Sequence, residues 1–444
     1  MINVAAFRVA MALVILAPLP LGANRPWAWS FLALAFGLLL LAVRPAMPRA
    51  VVPVAVLWGS GLVWVAAQVF AFAPPVRPDL WARAAEALGE ALPAAAALDA
   101  DAGRAVLMRM MMAAACFWLF IHWGRSRRRA AQAMRVIGWA AAAWAVIGLA
   151  LLTIGGDRLP FTDKTRHLGA VTGPFPNRNT MALWLGMGGC ALAAAAAQAG
   201  AHRGWARAGL WAAPAMVLAV AMVLTQSRAG TLAAGTGLSV TVALLTRRWW
   251  VAAVVPAVLL GLILGTSLGD RFASMADTPL PRLTVWETAV SGIAETPWRG
   301  IGAGGFPDAF AEARPRALLQ PWHYAHHVYL ELAWELGVPA AVILCAAMLG
   351  AAGLAARAAV RGSTTAAAGV GAAVAAGMHG LADFSPQIPA AALLLAALLG
   401  LGCGRTGGGE ARPRRETPAA TEPAPGPSPR PARFGREPAP AHRE

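Results

Sequence analysis

Long apolar runs separated by short polar connections make up most of this chain. Each run extends over about 17 to 23 residues, the length at which an α-helix crosses the hydrocarbon core of a bilayer. A backbone in lipid must satisfy its own hydrogen bonds, so each run is predicted to be a helix, and the alternating pattern of a membrane barrel does not occur. The twelve predicted spans are residues 5–21, 27–43, 51–73, 105–123, 136–154, 181–198, 209–225, 229–246, 249–268, 327–349, 366–382 and 387–403.

Composition agrees with this pattern, because 58% of the 444 residues are hydrophobic and only 13% are charged. The predicted fold class is therefore an all-α polytopic membrane protein with about twelve transmembrane helices. The net charge of +16 comes almost entirely from arginine. Since these arginines lie in short loops between apolar runs, they indicate membrane topology rather than nucleic-acid binding. The four cysteines lack CxxC spacing and indicate neither a disulfide framework nor a thiolate metal site.

The distribution of arginine predicts the orientation of the chain in the membrane. The segment 124–135, GRSRRRAAQAMR, is the strongest cytoplasmic marker, and the arginine pairs of four other short loops fall on the same side. Twelve spans then place both termini in the cytoplasm. Residues 1–403 are predicted to form the transmembrane domain, and residues 404–444, rich in Pro, Ala and Arg, a disordered cytoplasmic tail.

Three larger loops, at 77–104, 155–180 and 269–326, are predicted on the non-cytoplasmic side. The last two contain Lys164 and many of the arginines of the chain. Positive charge on the translocated side runs against the usual bias, although long loops are exempt from it. An anionic ligand on this side would explain these cations.

Arg228 lies in the segment TQSRAGTLAAG (225–235), where one apolar run ends and the next begins at once. An ionisable residue at that depth indicates a functional site, whereas the alternative is an arginine that merely extends to the membrane interface. Ser227 and Gly230 beside it favour a tight, specific turn.

The segment TGPFPNRNTMALWL (172–185) opens the sixth predicted span. Asn177, Asn179 or Thr180 can cap this helix, and capping alone would account for one of them. Two asparagines around Arg178 at a helix N-terminus also favour binding of an anion or of sugar hydroxyls. Both interpretations stay open at this point.

Residues 281–300 predict a short amphipathic helix with Trp286, Val290 and Ile293 on its apolar face. Arg282 lies at the start of this helix and is either solvated or directed into a site.

A literal GxGxxG follows this helix at Gly300, Gly302 and Gly305. A dinucleotide site would require a preceding strand and a βαβ unit, and the sequence predicts neither. The glycines are instead predicted to let a loop turn sharply at the membrane surface.

The segment HYAHHVYLELAWELG (323–337) contains three of the eight histidines of the chain. His323 and His327 have the i, i+4 spacing of a two-histidine metal clip, but no HExxH or carboxylate ligand motif accompanies them. The other interpretations are interfacial histidines without chemistry and an acid/base histidine that takes a proton from a hydroxyl near neutral pH. Arginines beside such a base indicate a phosphate-bearing lipid substrate and a hydroxyl acceptor.

The order of several motifs resembles the O-antigen ligase and O-antigen polymerase superfamily of bacterial glycan-assembly membrane enzymes. These motifs are TGPFPNRNTMA, LTQSRAG, PRLTVWETA, PWRGIGAGGF, AHHVYLELAWELG and HGLADFSPQIPA. The resemblance covers roughly residues 5 to 403 in layout. It implies a GT-C-like architecture with a large periplasmic loop, and an undecaprenyl-diphosphate-linked glycan as donor. It implies neither a metal nor another cofactor.

The resemblance also assigns roles to individual residues. His326 matches the catalytic histidine, and His327 replaces the asparagine that follows it in the family. Arg228 and Arg282 match arginines that bind the substrate diphosphate. The further substrate-binding candidates are Arg178, Asn179, His323 and His327. His379 and Asp383 match a late H-x-x-x-D-F element to which no role is assigned.

The predicted function is that of an inverting glycosyltransferase in the bacterial inner membrane with its active site facing the periplasm. The acceptor of a ligase would be lipid A-core, that of a polymerase another lipid-linked repeat, and a protein acceptor is a third option. A transporter for a lipid-linked sugar is the alternative from a different class. The sequence argues against it, because it contains no inverted repeat and no matching pair of Gly/Pro-broken spans.

Overall fold

The computed structural model of the protein describes residues 2–70, 78–90, 97–200, 204–273, 281–316, 318–406 and 435. Within these residues the regular elements are all helices. The α-helices are α1 (Ile2–Leu16), α2 (Pro26–Val43), α3 (Val52–Val69), α4 (Pro78–Leu88), α5 (Ala100–Gly124), α6 (Arg127–Thr153), α7 (Arg178–Gln198), α8 (Trp205–Leu224), α9 (Arg228–Thr246), α10 (Val251–Ala273), α11 (Pro281–Glu295), α12 (Phe306–Ala313), α13 (Val328–Leu336), α14 (Val338–Val360), α15 (Thr364–His379) and α16 (Pro389–Cys403).

Seven helices of the described chain are long and apolar enough to cross a membrane. They are α2, α3 with the turn before it, α5, α6, α7, α9 and α14. Shorter apolar helices are α1, α16 and the segments Ala208–Leu224 of α8 and Val251–Gly265 of α10. The protein is therefore a polytopic α-helical membrane protein, as the apolar runs predict, while the total of twelve spans stays a prediction.

Helix α7 lies at the centre of the bundle, and 78% of its most apolar window is buried. Small residues let its neighbours approach closely, as in many membrane helix pairs. A Cβ added at Gly186 would collide with Ala234 of α9, and one added at Gly188 would collide with Ala141 of α6. Because α7 is fixed on several sides, its N-terminus is a firm support for a site.

The tenth predicted span, 327–349, is wrong in its boundaries. The helix is interrupted at Gly337, which has a φ of 81° and packs closely against the backbone of Trp298. Before the break lies the short helix α13, in which Glu331 and Glu335 are buried, and after it begins the apolar helix α14. The apolar pattern continues through this break and therefore conceals it.

The predicted apolar face of residues 281–300 is also shifted. In α11 the buried residues are Val285, Ala289 and Gly292, whereas Val290 is exposed. The reason is that the indole of Trp334 lies directly on Gly292, where a Cβ would collide with it.

The predicted loops and tail are described only in part. The loop 77–104 contains α4, and the loop 269–326 contains α11 and α12. Helix α16 ends at Cys403, and apart from residues 404–406 and Gly435 the predicted disordered tail lies outside the described residues.

Candidate functional site

Asp383, in the turn between α15 and α16, is the centre of a polar cluster. Its Oδ2 accepts a hydrogen bond from Asn179 Nδ2 at 2.6 Å and lies 3.1 Å from His326 Nδ1. The guanidinium of Arg282 approaches the same oxygen to 4.0 Å. Its Oδ1 accepts from the backbone N–H of Ser385 at 3.0 Å and from the Ser385 hydroxyl. The Asp383 side chain is fully buried, so its carboxylate depends on these partners rather than on water.

The surroundings of Asp383 keep its carboxyl group ionised. Burial raises its pKa, but the hydrogen bond with His326, the nearby His379 and the hydrogen bond from Ser385 outweigh burial and lower the pKa to about 2. A carboxylate paired with Nδ1 of an imidazole holds the hydrogen on that nitrogen. Nε2 of His326 is then the free proton acceptor, as a general base requires.

His326 itself adopts an unusual backbone conformation. Its φ is 54°, in the left-handed region that few residues other than glycine enter. Its ring packs edge-on against Trp322 and Phe384, with ring centroids 5.5 and 4.9 Å away. Non-glycine residues keep such conformations only where their surroundings hold them, and they cluster at functional sites.

Arg282 is hydrogen-bonded to the turn that contains Asp383. Its Nη1 donates to the carbonyl oxygen of Ala382 at 3.1 Å, while 42% of the side chain stays exposed. One edge of the guanidinium is thus fixed by the protein, and the exposed part can contact an anion. Arg282 is therefore only partly solvated, and its role in a site stays a prediction.

Arg228 is the first residue of α9 and is exposed. The tight turn that the sequence predicts before it is present: Ser227 caps α9, its Oγ accepting from the Gly230 N–H at 3.1 Å. The same hydroxyl donates to Asn179 Oδ1 at 2.7 Å. A chain of hydrogen bonds therefore runs from the turn that carries Arg228 through Asn179 to Asp383.

The two asparagines that precede and follow Arg178 have different tasks. Asn177 is the N-cap of α7 and accepts from the Asn179 N–H at 2.8 Å. Asn179 uses its side chain for Ser227 and Asp383 instead. Arg178, half-buried, lies close to His167, and burial followed by the charge of Arg178 lowers the pKa of that histidine. The sequence did not single out His167, and of the charges that act on it only Asp383 comes from a distant segment.

The remaining histidines of the 323–337 segment are placed differently. His327 is the N-cap of α13, where its Nδ1 accepts from the Leu330 N–H at 3.2 Å, and burial lowers the pKa of its imidazole. His323 is exposed. Within the described residues no group of three or more His, Cys, Asp and Glu side chains is arranged to hold a metal ion.

The glycine-rich loop at residues 300–305 is hydrogen-bonded to α13, the helix that follows His326. The Gly302 N–H donates to the Glu335 carbonyl at 2.9 Å, and the Phe306 N–H donates to Glu335 Oε1 at 3.2 Å. Gly300 has a φ of 67°, and a Cβ there would collide with the Glu335 carbonyl. The glycines thus allow backbone to pack against backbone, which explains the GxGxxG pattern without a nucleotide.

Replacing Gly300 with alanine is expected to destabilise the protein by about 1–3 kcal/mol, because the new Cβ adds both left-handed strain and a collision. Thermal unfolding of the detergent-solubilised protein measures the effect. Gly189→Ala is the matched control, since nothing lies within 4 Å of a Cβ there. Equal unfolding midpoints for the two variants would contradict the role of this loop.

The bundle and the cluster together define a class of protein: a polytopic helical membrane protein with a carboxylate-paired histidine beside arginines. Residues 213–345 match the family model described as O-antigen ligase. The resemblance to the O-antigen ligase and O-antigen polymerase superfamily is thereby confirmed, and it indicates a glycosyltransferase-like enzyme with ligase or polymerase-like activity. No curated protein matches the chain.

The matched segment contains only part of the cluster. Arg228, Arg282 and His326 lie within residues 213–345, whereas Asn179 and Asp383 lie outside them. The structure therefore adds the carboxylate and the amide that connect the matched residues.

Proposed function

We propose that the protein is an inverting, metal-independent glycosyltransferase of the O-antigen ligase type. It moves a glycan from undecaprenyl diphosphate to a sugar hydroxyl of an acceptor such as lipid A-core. The observation that carries this proposal is the pairing of His326 Nδ1 with the buried Asp383 carboxylate, beside the guanidinium of Arg282. A base, its orienting carboxylate and an anion-binding cation are the groups that this reaction needs.

His326 is the general base of the proposed reaction. Its Nε2 takes the proton of the acceptor hydroxyl while the hydroxyl oxygen forms a bond to the anomeric carbon of the donor. The bond between that carbon and the diphosphate oxygen breaks at the same time, and its electron pair leaves with the diphosphate. A single displacement inverts the anomeric centre. Asp383 stabilises the imidazolium that forms.

Arg282 and Arg228 bind the departing diphosphate. Guanidinium groups offer forked donors that match phosphate oxygens, and they stabilise negative charge as it develops on the leaving group. Arg178 and Arg228 also begin α7 and α9, whose N-termini carry positive partial charge. Asn179 lies between these helix ends and Asp383, where it contributes to the same site.

The surroundings of the reaction follow from this proposal. The lipid-linked donor enters from the bilayer of the bacterial inner membrane, and transfer takes place at its periplasmic face. The GT-C-like arrangement of about twelve helices with both termini in the cytoplasm belongs to the same proposal.

Replacing Arg282 with alanine is expected to lower kcat/KM for the lipid-linked donor by about 10²-fold, because a donor to the developing diphosphate charge is removed. Arg282→Lys keeps the charge but not the fork and is expected to recover only part of the activity. Initial rates at varied donor concentration measure both. Arg314→Ala, which removes an exposed arginine from the same loop, is the control. Equal rates for Arg282→Ala and the control would contradict diphosphate binding by Arg282.

Deleting the gene and examining both surface lipopolysaccharide and the lipid-linked glycan pool tests the function as a whole. A ligase is expected to leave core lipid A without glycan while long undecaprenyl-linked chains accumulate. Loss of the ladder with single repeats still reaching the core would identify a polymerase instead. Unchanged lipopolysaccharide and an unchanged lipid-linked pool would overturn the proposal.

A further inference from the structure

Both backbone polar groups of Ala325, directly before His326, are hydrogen-bonded to side chains, those of the buried Glu331 and the half-buried Trp286. Its N–H donates to Glu331 Oε2 at 2.7 Å, and its carbonyl oxygen accepts from Trp286 Nε1 at 3.0 Å. Ala325 is completely buried, and Glu331 is 4% exposed. Neither polar group of this residue therefore has access to water, and each depends on its side-chain partner.

The conformation of His326 explains why such a clamp is needed. A left-handed φ of 54° is unfavourable for a residue with a Cβ, and the chain relaxes out of it unless its neighbours are fixed. After His326, the Val328 N–H donates to the Gly380 carbonyl at 2.8 Å, which fixes the other end of the turn. Glu331 and Trp286 fix the end that precedes the histidine.

We propose that Glu331 is a positioning residue for His326, holding the backbone of Ala325 together with Trp286 so that the imidazole stays paired with Asp383. This inference rests on the proposed function, in which His326 is the general base. It assigns to a carboxylate on α13 a role in the geometry of the base, although Glu331 does not contact the reacting atoms. Base catalysis depends steeply on such geometry, since a misplacement of about 1 Å can cost about 10²-fold in rate.

The carboxyl group of Glu331 acts here as a hydrogen-bond acceptor rather than as a charge. Burial, and after it the charge of Glu335 one turn further along α13, raises the pKa of Glu331 well above its usual range. Glutamine has the same shape and keeps an acceptor oxygen, so Glu331→Gln preserves the clamp. Leucine fills similar space without an acceptor and leaves the Ala325 N–H buried and unpaired.

Kinetic comparison of the full-length protein in lipid nanodiscs tests the proposal. The variants are Glu331→Leu, Glu331→Gln and Trp286→Phe, with Glu287→Leu as the control because Glu287 is exposed on α11. Glu331→Leu is expected to lower kcat by about 10- to 100-fold with donor KM nearly unchanged. Glu331→Gln is expected to retain most of kcat, and Trp286→Phe, which removes the indole donor and keeps an aromatic ring, to lose part of it. Equal kcat in Glu331→Leu and the control would overturn the proposal, and so would equal losses in the leucine and glutamine variants.

A second measurement does not depend on transfer. Diethyl pyrocarbonate modifies imidazoles, and mass spectrometry gives the rate at His326 relative to the exposed His323 of the same molecule. Release of His326 from Asp383 is expected to raise this ratio several-fold in Glu331→Leu and in Trp286→Phe, but not in Glu331→Gln. An unchanged ratio in the first two variants would overturn the positioning role.

The two readouts separate the failure of this inference from the failure of the proposed function. A wild-type protein that transfers no glycan contradicts the function, while the modification ratio still decides whether Glu331 holds His326. If Glu331→Leu does not fold, Trp286→Phe and Glu331→Gln carry the test, because glutamine keeps the shape of Glu331 and Trp286 is only half-buried. An unchanged kcat and ratio in Trp286→Phe then counts against the clamp.

Discussion

Replacing His326 with alanine is expected to reduce glycan transfer by about 10²–10⁴-fold, the range that a positioned general base contributes. The alanine variant has no group that can take the proton of the acceptor hydroxyl. It also leaves Asp383 without the partner that holds its charge in a buried position. Donor binding is expected to change much less, because Arg228 and Arg282 are untouched.

Transfer of a lipid-linked glycan by purified protein measures this effect, together with complementation of a deletion strain. His323→Ala is the matched control, since it removes an exposed histidine three residues earlier in the chain. Detection of both variants at equal levels in the membrane shows that they insert. Full transfer by His326→Ala would contradict the proposal that His326 is the general base, but it would not affect the family resemblance.

Replacing Asp383 with asparagine is expected to have the second-largest effect, with kcat also falling by at least about 10²-fold. An amide cannot stabilise the imidazolium, and its N–H₂ can donate to Nδ1 and so favour the wrong tautomer. Asp308→Asn is the control, because Asp308 is exposed in α12. Initial rates at saturating donor compare the two variants, and similar rates would contradict the role of Asp383.

The same variant also tests the ionisation of Asp383. Its pKa in the folded protein, about 2, lies below the value of about 3.9 for a free side chain. The ionised carboxylate therefore stabilises the folded state above about pH 4, and this contribution is lost as the pH falls toward 2. The difference in unfolding temperature between wild type and Asp383→Asn is expected to be largest at neutral pH and to shrink below pH 4.

The helices were predictable because the bilayer imposes one length on every span. An apolar run of that length needs no further information, and the described helices α2, α5 and α9 follow their runs closely. The break at Gly337 was not predictable in this way, since the buried Glu335 is bound by the Phe306 N–H, 29 residues earlier in the chain. The pattern of hydrophobic residues along the sequence does not show which tertiary contact buries a carboxylate.

The packed face of α11 was mispredicted for a related reason. A pattern analysis gives weight to large apolar side chains such as Val290, but the close contact is made by Ala289 and Gly292. Small residues that admit a neighbouring ring, here that of Trp334, leave almost no signal in a hydrophobic pattern.

The sequence drew attention to the cations and the histidine of the candidate site, but it assigned no role to Asp383 at the centre of the cluster. Arg282 and His326 stood out by residue type and by the resemblance. Asp383 lies 57 residues after His326, and no local spacing connects the two. Asn179 lies 204 residues before Asp383, so its role beyond helix capping likewise required the fold.

The division of the His326–Asp383 pair across the chain has a consequence for exchanging parts between relatives. A chimera that receives only residues 213–345 from a relative acquires a foreign histidine and foreign arginines, while its Asp383 and Asn179 come from the recipient. The histidine of one protein must then form the 3.1 Å contact with the aspartate of another. A chimera that is meant to keep this contact should therefore receive α7 and the turn after α15 together with this segment.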